Sequence, residues 1–280
     1  HTCLTLLEQN HELIVFDNFS NSSPLAIERV IKIAKISNLN KIELIKGDIR
    51  SLENIENVFK TYSKNNNPID SVIHFAGVKS VRDSVLNPLR YWEINVIGSH
   101  NLLKVMDKYN CKTLVFSSSA NIYDGKHSKL LSEESILSPS NPYGVTKLTI
   151  ESLLKDLCAK QNSEWRIISL RYFNPIGAHP SGFIGESPTG KPNNIFPLLC
   201  RVASGLYKNL NIFGADWPTK DGTGVRDYIH VSDLAQAHIR ALEFIDKNNE
   251  SITFLNVGTA IGTSVLELIH TFERVNNCIV

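Results

Sequence analysis

The sequence predicts an α/β protein built on a parallel sheet covered by helices on both faces. Three observations carry this expectation. Short β-branched or apolar runs alternate with runs of helical period from residue 12 to residue 174. The strand segments are nearly continuous in apolar residues, as strands buried on both faces are. Polar residues gather where those strands end, at Asp17, Asp48, Ser117 to Ser119 and Asn174, the end at which open α/β sheets hold ligands.

In chain order, "HTCLTLLEQNH" (1–11) has helix periodicity but neither a preceding strand nor an N-cap. "ELIVFDN" (12–18) reads as a strand and "PLAIERVIKIAKI" (24–36) as a helix. "KIELIKGDI" (41–49) precedes the helix "SLENIENVFKTYSK" (51–64), and "DSVIHFAG" (70–77) precedes the helix "NPLRYWEINVIGSHNLLKVMDKY" (87–109). "KTLVFSSS" (112–119) is the next strand. A helix follows from Pro142, whose missing N–H costs nothing in a first turn, with Ser138, Ser140 and Asn141 as possible caps. "EWRIISLRYFN" (164–174) closes this regular pattern. The sum is a doubly wound, Rossmann-like sheet.

From 175 to about 227 the chain turns rich in Gly, Pro and Asn, the texture of loops that make a binding surface. "HVSDLAQAHIRALEFI" (230–245) resumes helical period with Ser232 as a possible cap, and a strand (252–258) and a helix from about 263 follow. The expected division is a dinucleotide-binding part, 1–174, onto which 228–246 packs back, and a substrate-binding part, 175–280.

Composition narrows the function. Of 280 residues, 42% are hydrophobic and 20% charged, and the net charge is +1, with no basic stripe to suggest nucleic acid. No apolar run reaches membrane-spanning length and no signal-peptide pattern opens the residues. The five cysteines, at 3, 111, 158, 200 and 278, form no CxxC pair. Reduced thiols in a cytoplasmic protein are the expectation, without a zinc site.

The candidate chemistry lies at the strand ends. Asp17 stands where an acidic residue accepts from the adenosine ribose in dinucleotide-binding units, or it simply makes a turn. Asp48 could meet the adenine or cap the helix beginning near Ser51. "SPSNPYGVTK" (138–147) sets Tyr143 and Lys147 one turn apart on a helix face. Alone, this spacing is common and reads most simply as an amphipathic helix. A strand-end hydroxyl in "FSSSANIY" changes the balance, since a serine and a phenol can then face one substrate oxygen. A tyrosine has a pKa near 10. An ammonium ~6 Å away at an effective dielectric of ~20 favours the phenolate by about 3 kcal/mol, roughly two pKa units. Such a phenolate can take a hydroxyl proton while hydride leaves for a nicotinamide. His74, inside an apolar strand, reads as a satisfied core histidine.

Six segments, "DSVIHFAGVKSV", "LVFSSSANIY", "SPSNPYGVTK", "RYFNPIGAHPSGFIGE", "PNNIFP" and "DGTGVRDYIHVSDLA", run through nearly the whole chain. By them it resembles the extended short-chain dehydrogenase/reductase family, and within it the C4 epimerases of nucleotide sugars. The resemblance implies interconversion of UDP-galactose and UDP-glucose, with Ser119, Tyr143 and Lys147 as the catalytic trio. It implies NAD as cofactor, held by Asp17, Asn18, Asn21, Asp48, Ile49, Phe75, Ala76, Gly77, Lys79, Asn95, Tyr143, Lys147 and Phe173. Asp17 would favour NAD over NADP by repelling a 2′-phosphate. It implies substrate contacts from Ser119, Asn174, Asn194, Ile212, Phe213 and Arg226, the last aimed at the diphosphate as a bidentate donor. It also implies a homodimer.

In the implied mechanism Tyr143 takes the O4 proton, hydride leaves C4 for NAD, and the keto sugar turns its other face before hydride returns. A dehydratase would need a carboxylate among Ser117, Ser118 and Ser119, where none stands. A regulatory dinucleotide binder without turnover would not need the trio. Set against the family pattern, the Gly-rich turn and the strand before it are missing, as is the last substrate-clamping segment. The expectation is that residues 1–280 alone do not epimerise UDP-galactose.

Overall fold

The computed structural model describes residues 1–34, 41–125, 130–188, 190 and 192–280. Helix α1 (Thr2–Glu8) leads into strand β1 (Leu13–Asp17), helix α2 (Leu25–Ala34), strand β2 (Ile42–Lys46), helix α3 (Leu52–Lys64) and strand β3 (Ser71–His74). The last residues of the helix expected over 24–36 lie outside the described residues. After the short α4 (Val81–Leu86), helix α5 (Pro88–Tyr91) runs through a π-helical turn, Trp92–Ile97, into α6 (Gly98–Lys108). Strand β4 (Thr113–Ser119), helix α7 (Pro142–Ala159) and strand β5 (Arg166–Tyr172) complete the alternation.

Strands β1 and β2 pair in parallel, and β3 and β4 and β5 form a parallel ladder of their own. The ladder takes a fourth strand from far along the chain. Strand β8 (Ile252–Val257) lies parallel to β5, with Ile167 opposite Ile252 and Tyr172 opposite Val257. The run 252–257, expected as a strand, thus joins this ladder at its edge, half-buried along most of its length. The intervening chain gives β6 (Asn174–Ile176), α8 (Ile195–Ala203), β7 (Val225–His230) and α9 (Val231–Lys247), and β9 (Gly262–Ser264) and α10 (Val265–Asn276) end it. β7 pairs with β6 in parallel and with β9 antiparallel, a small separate sheet.

The two faces of the larger ladder carry different cores. Leu114, Phe116 and Ile167 face Ile150 and Leu154 of α7 with Leu102, Leu103 and Met106 of α6. Val115, Ile168 and Leu170 face Leu234, Ala241 and Ile245 of α9. Each fully buried aliphatic side chain here contributes about 1.5–3 kcal/mol, so the sheet fixes both helices. Capping agrees with the sequence in one place and departs from it in another. Asn141 caps α7, accepting from the Gly144 N–H at 2.9 Å. At α9 the cap is His230, whose Nδ1 accepts from the Ser232 N–H at 3.2 Å, rather than Ser232 itself; the imidazole sits at the extended strand end and reaches the orphan donor first.

Candidate active site

The C-terminal ends of β1 to β5 and the first turn of α7 converge on one side of the sheet. Ser119 ends β4, and its hydroxyl acts on the Tyr143 phenol, favouring the ionised form. That hydroxyl also accepts from the backbone N–H and the side-chain amide of Asn121, each at 3.2 Å. Tyr143 is the second residue of α7 because Pro142 occupies its first position. Gly144 brings this turn close: a Cβ there would fall 2.4 Å from the Asn121 carbonyl oxygen.

Lys147 follows one turn on and is buried. Its Nζ donates to the Ser117 carbonyl at 2.7 Å and stands 6.0 Å from the centre of the Tyr143 ring and 4.9 Å from that of Phe116. The distance matches the sequence expectation, but the electrostatics do not. Burial raises the Tyr143 pKa, opposed by the Ser119 hydrogen bond, and burial pulls Lys147 down to about 8, opposed by Glu151. The two-unit lowering of the phenol expected from Lys147 is therefore corrected. Desolvation penalises both charged forms, and the pair stands neutral phenol beside ammonium at pH 7.

Asn95 ties a second loop to this centre. Buried in the π-helical turn, it accepts from the Val78 N–H at 2.8 Å and donates to the Val78 carbonyl at 3.0 Å and to Thr146 Oγ1 at 3.1 Å. Gly77, at φ +157°, passes so close that a Cβ would lie 2.9 Å from Asn95 Oδ1 and 4.0 Å from Lys147 Nζ. Asn95 thus locks the loop after β3 to the helix that carries Tyr143. His74 is a satisfied core histidine, paired with Ser99 Oγ at 2.8 Å and pulled down to about 3 by burial and then by Lys147.

Several of the residues expected to hold NAD offer it polar groups or open apolar surface. Asp17 Oδ1 accepts from the Phe19 N–H at 2.7 Å and Ser22 Oγ at 2.8 Å, and a carboxylate has about four lone-pair sites in all. So Asp17 makes a turn and retains capacity for ribose hydroxyls; the two readings are compatible. Asp48 does not cap α3. Ser51 does, accepting from the Asn54 N–H, while Asp48 Oδ2 accepts from Asn18 Nδ2 at 3.0 Å and Arg50 Nη2 at 2.8 Å. The Arg50 hydrogen bonds hold the Asp48 carboxyl well below the usual range. Phe75 and Ala76 are exposed at the end of β3, an apolar surface on the ligand side of the sheet. The Phe75 ring leans on His238 at 4.8 Å. Ile49 departs from expectation: its side chain is core, packed under Gly98, which leaves it only its backbone to offer a cofactor. Asn21 is exposed on the loop after β1, and Phe173 packs beside Gly258, where a Cβ would come within 2.9 Å of the ring.

The substrate-side residues are less gathered. Asn174 Nδ2 donates to the Asp227 carbonyl at 2.9 Å, next in sequence to Arg226. The exposed Arg226 folds its guanidinium onto the Val225 carbonyl at 2.7 Å. Asn194 donates to Glu186 Oε1 at 3.1 Å, and the same oxygen lies 3.8 Å from Lys79 Nζ. Glu186 so joins Lys79, expected on the cofactor side, to Asn194, expected on the substrate side. Ile212 and Phe213 lie on an exposed loop. Sequence reading missed Glu186, Glu151 and Arg171, although an arginine inside the apolar run "RIISLRYF" was a visible signal.

A model of the NAD dependent epimerase/dehydratase family matches residues 1–258. The chain belongs to this family. UDP-glucose 4-epimerase 2 of Arabidopsis thaliana is 48% identical over 274 residues, covering 98% of this chain and 76% of that protein. UDP-glucose 4-epimerase of Bacillus subtilis (strain 168) is 46% identical over 276 residues, 99% of this chain and 78% of that one. Among solved structures, the UDP-glucose 4-epimerase from Bifidobacterium longum in complex with NAD+ and UDP superposes with a TM-score of 0.91 at 42% identity, covering 100% of this chain and 80% of that one. Family membership accounts for the parallel sheet with its ligand-side loops and for a site that accommodates NAD.

Proposed function

We infer that the chain interconverts UDP-galactose and UDP-glucose by NAD-dependent epimerisation at C4. The observation that carries this is the Ser119–Tyr143–Lys147 arrangement on a scaffold nearly half identical to two UDP-glucose 4-epimerases. Bound NAD supplies the acceptor and donor of the C4 hydride. This chain's residues handle the proton and the orientation. In its phenolate form, favoured by the Lys147 ammonium and by a bound positively charged nicotinamide, Tyr143 takes the O4 proton and later returns it, while Ser119 hydrogen-bonds O4.

The site assignments follow as part of the same reading. Asp17, Asn18 and Asp48 hold the adenosine end, and the loop from Phe75 to Lys79, braced by Asn95, lies against the remainder of NAD. Asn174, Asn194 and Arg226 hold the UDP moiety, with Ile212 and Phe213 beside the uracil. The ladder with α9 forms the cofactor part, and the segment from β6 to β7 with α8 and α10 forms the substrate part. We propose a homodimer built on the apolar face of Val85, Leu86, Leu89 and Trp92, where Leu86 is 69% and Leu89 83% exposed. Val85 and Leu86 end α4, Leu89 and Trp92 follow on α5 and the π-helical turn, and one self-complementary face suffices for a two-fold interface. No described helix is long and apolar enough to cross a membrane, and five free cysteines, Cys200 exposed, suit a reducing cytoplasm.

The test is conversion of UDP-galactose to UDP-glucose without added cofactor by a protein that carries this chain, beside residues 1–280 alone, which are expected not to convert it. Tyr143→Phe should lower kcat by about two to four orders of magnitude while UDP-sugar affinity holds. A near-normal rate in that variant would remove Tyr143 from the chemistry.

A further inference from the structure

Beneath the reacting trio lies a fully buried ion pair that no step above uses. Glu151 stands four residues after Lys147 in α7, one turn down the same face. Its Oε2 accepts from Arg171 Nη2 at 2.8 Å, and its Oε1 accepts from Arg171 Nε at 3.1 Å and from Ser169 Oγ at 2.9 Å. Arg171 is pinned in turn. Its Nη1 donates to the Tyr123 hydroxyl at 2.8 Å and the Glu133 carbonyl at 3.3 Å, and its guanidinium lies 5.3 Å from the Tyr123 ring and 4.9 Å from that of Phe254. Tyr123 itself donates to Asn256 Oδ1 at 2.7 Å on β8.

Such a pair is poor at stabilising a core, because apolar residues of similar volume serve as well or better. Its position suggests another use. We propose that Glu151 and Arg171 are positioning residues for Lys147: the carboxylate supplies a counter-charge one turn away, and the arginine fork keeps it from closing a direct salt bridge on the ammonium. The inference rests on the epimerase reading only for its rate measurement.

Two alternatives show why both halves are needed. Were Glu151 free of Arg171, the attraction between a buried carboxylate and an ammonium would draw Lys147 Nζ down the helix, away from the Ser117 carbonyl and Tyr143. Were Glu151 uncharged, nothing would offset the burial of Lys147. The other groups around Lys147 do not substitute. His74 on β3 is neutral, Tyr143 on α7 and Tyr172 on β5 are phenols that burial keeps protonated, and β4 offers the Ser117 carbonyl and the Phe116 ring. With the pair in place Lys147 stays near 8, charged by about ten to one at pH 7. Burial works against the charge on Arg171, but Glu151 and then Tyr123 hold its pKa above the ordinary value, so the fork persists while Lys147 titrates.

The test follows Lys147 directly, by NMR titration of the protein carrying 13C at the lysine ε-carbons, with Lys147→Arg to assign the signal. Glu151→Gln should lower the Lys147 acid midpoint by about one unit, a tenfold change, and shift the alkaline limb of the kcat profile the same way with KM for UDP-galactose unchanged. Arg171→Met should raise the midpoint and cut kcat tenfold or more. Should Arg171→Met not fold, the double variant Glu151→Gln/Arg171→Met, which leaves no buried charge unpaired, should titrate like Glu151→Gln. Loss of thermal stability with an unchanged Lys147 midpoint would make the pair a core brace and overturn the proposal. A parent protein that fails to epimerise would defeat the functional reading and leave the titration standing on its own.

Discussion

Asp17 shows how one side chain serves two ends. Its Oδ1 holds the loop that follows β1, where Phe19 takes a left-handed φ of +56°, a conformation a bulky residue adopts only when its surroundings insist. On the reading proposed above, the rest of the carboxylate accepts from ribose hydroxyls and repels a 2′-phosphate. Asp17→Ala should therefore weaken NAD binding by about tenfold, the worth of one charge-assisted hydrogen bond, and narrow the preference over NADP. The check is nucleotide content after gel filtration and competition between the two cofactors. Unchanged discrimination would confine Asp17 to the turn.

At the scale of elements, the site depends on how closely α7 meets the end of β4. Gly144 sets that approach, because a Cβ would press on a backbone oxygen at 2.4 Å and on Pro139 at 2.9 Å. Gly144→Ala gains up to about 1 kcal/mol of helix propensity, but relieving the overlap costs typically 1–3 kcal/mol, so the clash prevails. A loss of a few degrees in Tm with a lower kcat is expected, since Tyr143 is the adjoining residue. A higher Tm would show that the helix can move aside without strain. Much of this element-level order was legible in the sequence: the alternation, the helix from Pro142 and the ligand-side strand ends are all local patterns. What was not legible depends on desolvation and on partners distant in sequence. The raised Tyr143 pKa needs the depth of burial, the inward-facing Ile49 needs Gly98 of α6, and the Glu151–Arg171 pair joins residues twenty apart. The place of β8 beside β5 needed the pairing itself.

For the molecule as a whole, α4, α5 and the π-helical turn present an exposed apolar face that the described residues do not cover. Patches of this kind on soluble proteins mark interaction surfaces. Leu89→Asp should shift the protein from dimer to monomer in sedimentation velocity while far-UV circular dichroism stays unchanged. An unaltered sedimentation coefficient would move the interface elsewhere on the surface.

The π-helical turn also bears on how the chain tolerates a change of length. A π-turn accommodates one residue more than an α-helix would over the same stretch, so a chain lacking Glu93 has a regular α-helix available from Pro88 to Lys108. Both flanks would keep their register, and the deletion that breaks most helices would here be absorbed. What it removes is the widened turn from which Asn95 reaches Val78 and Thr146. The shortened protein should melt within a few degrees of its parent yet retain NAD poorly. At this point of the chain, an extra residue exchanges helical regularity for a grip on the loop after β3.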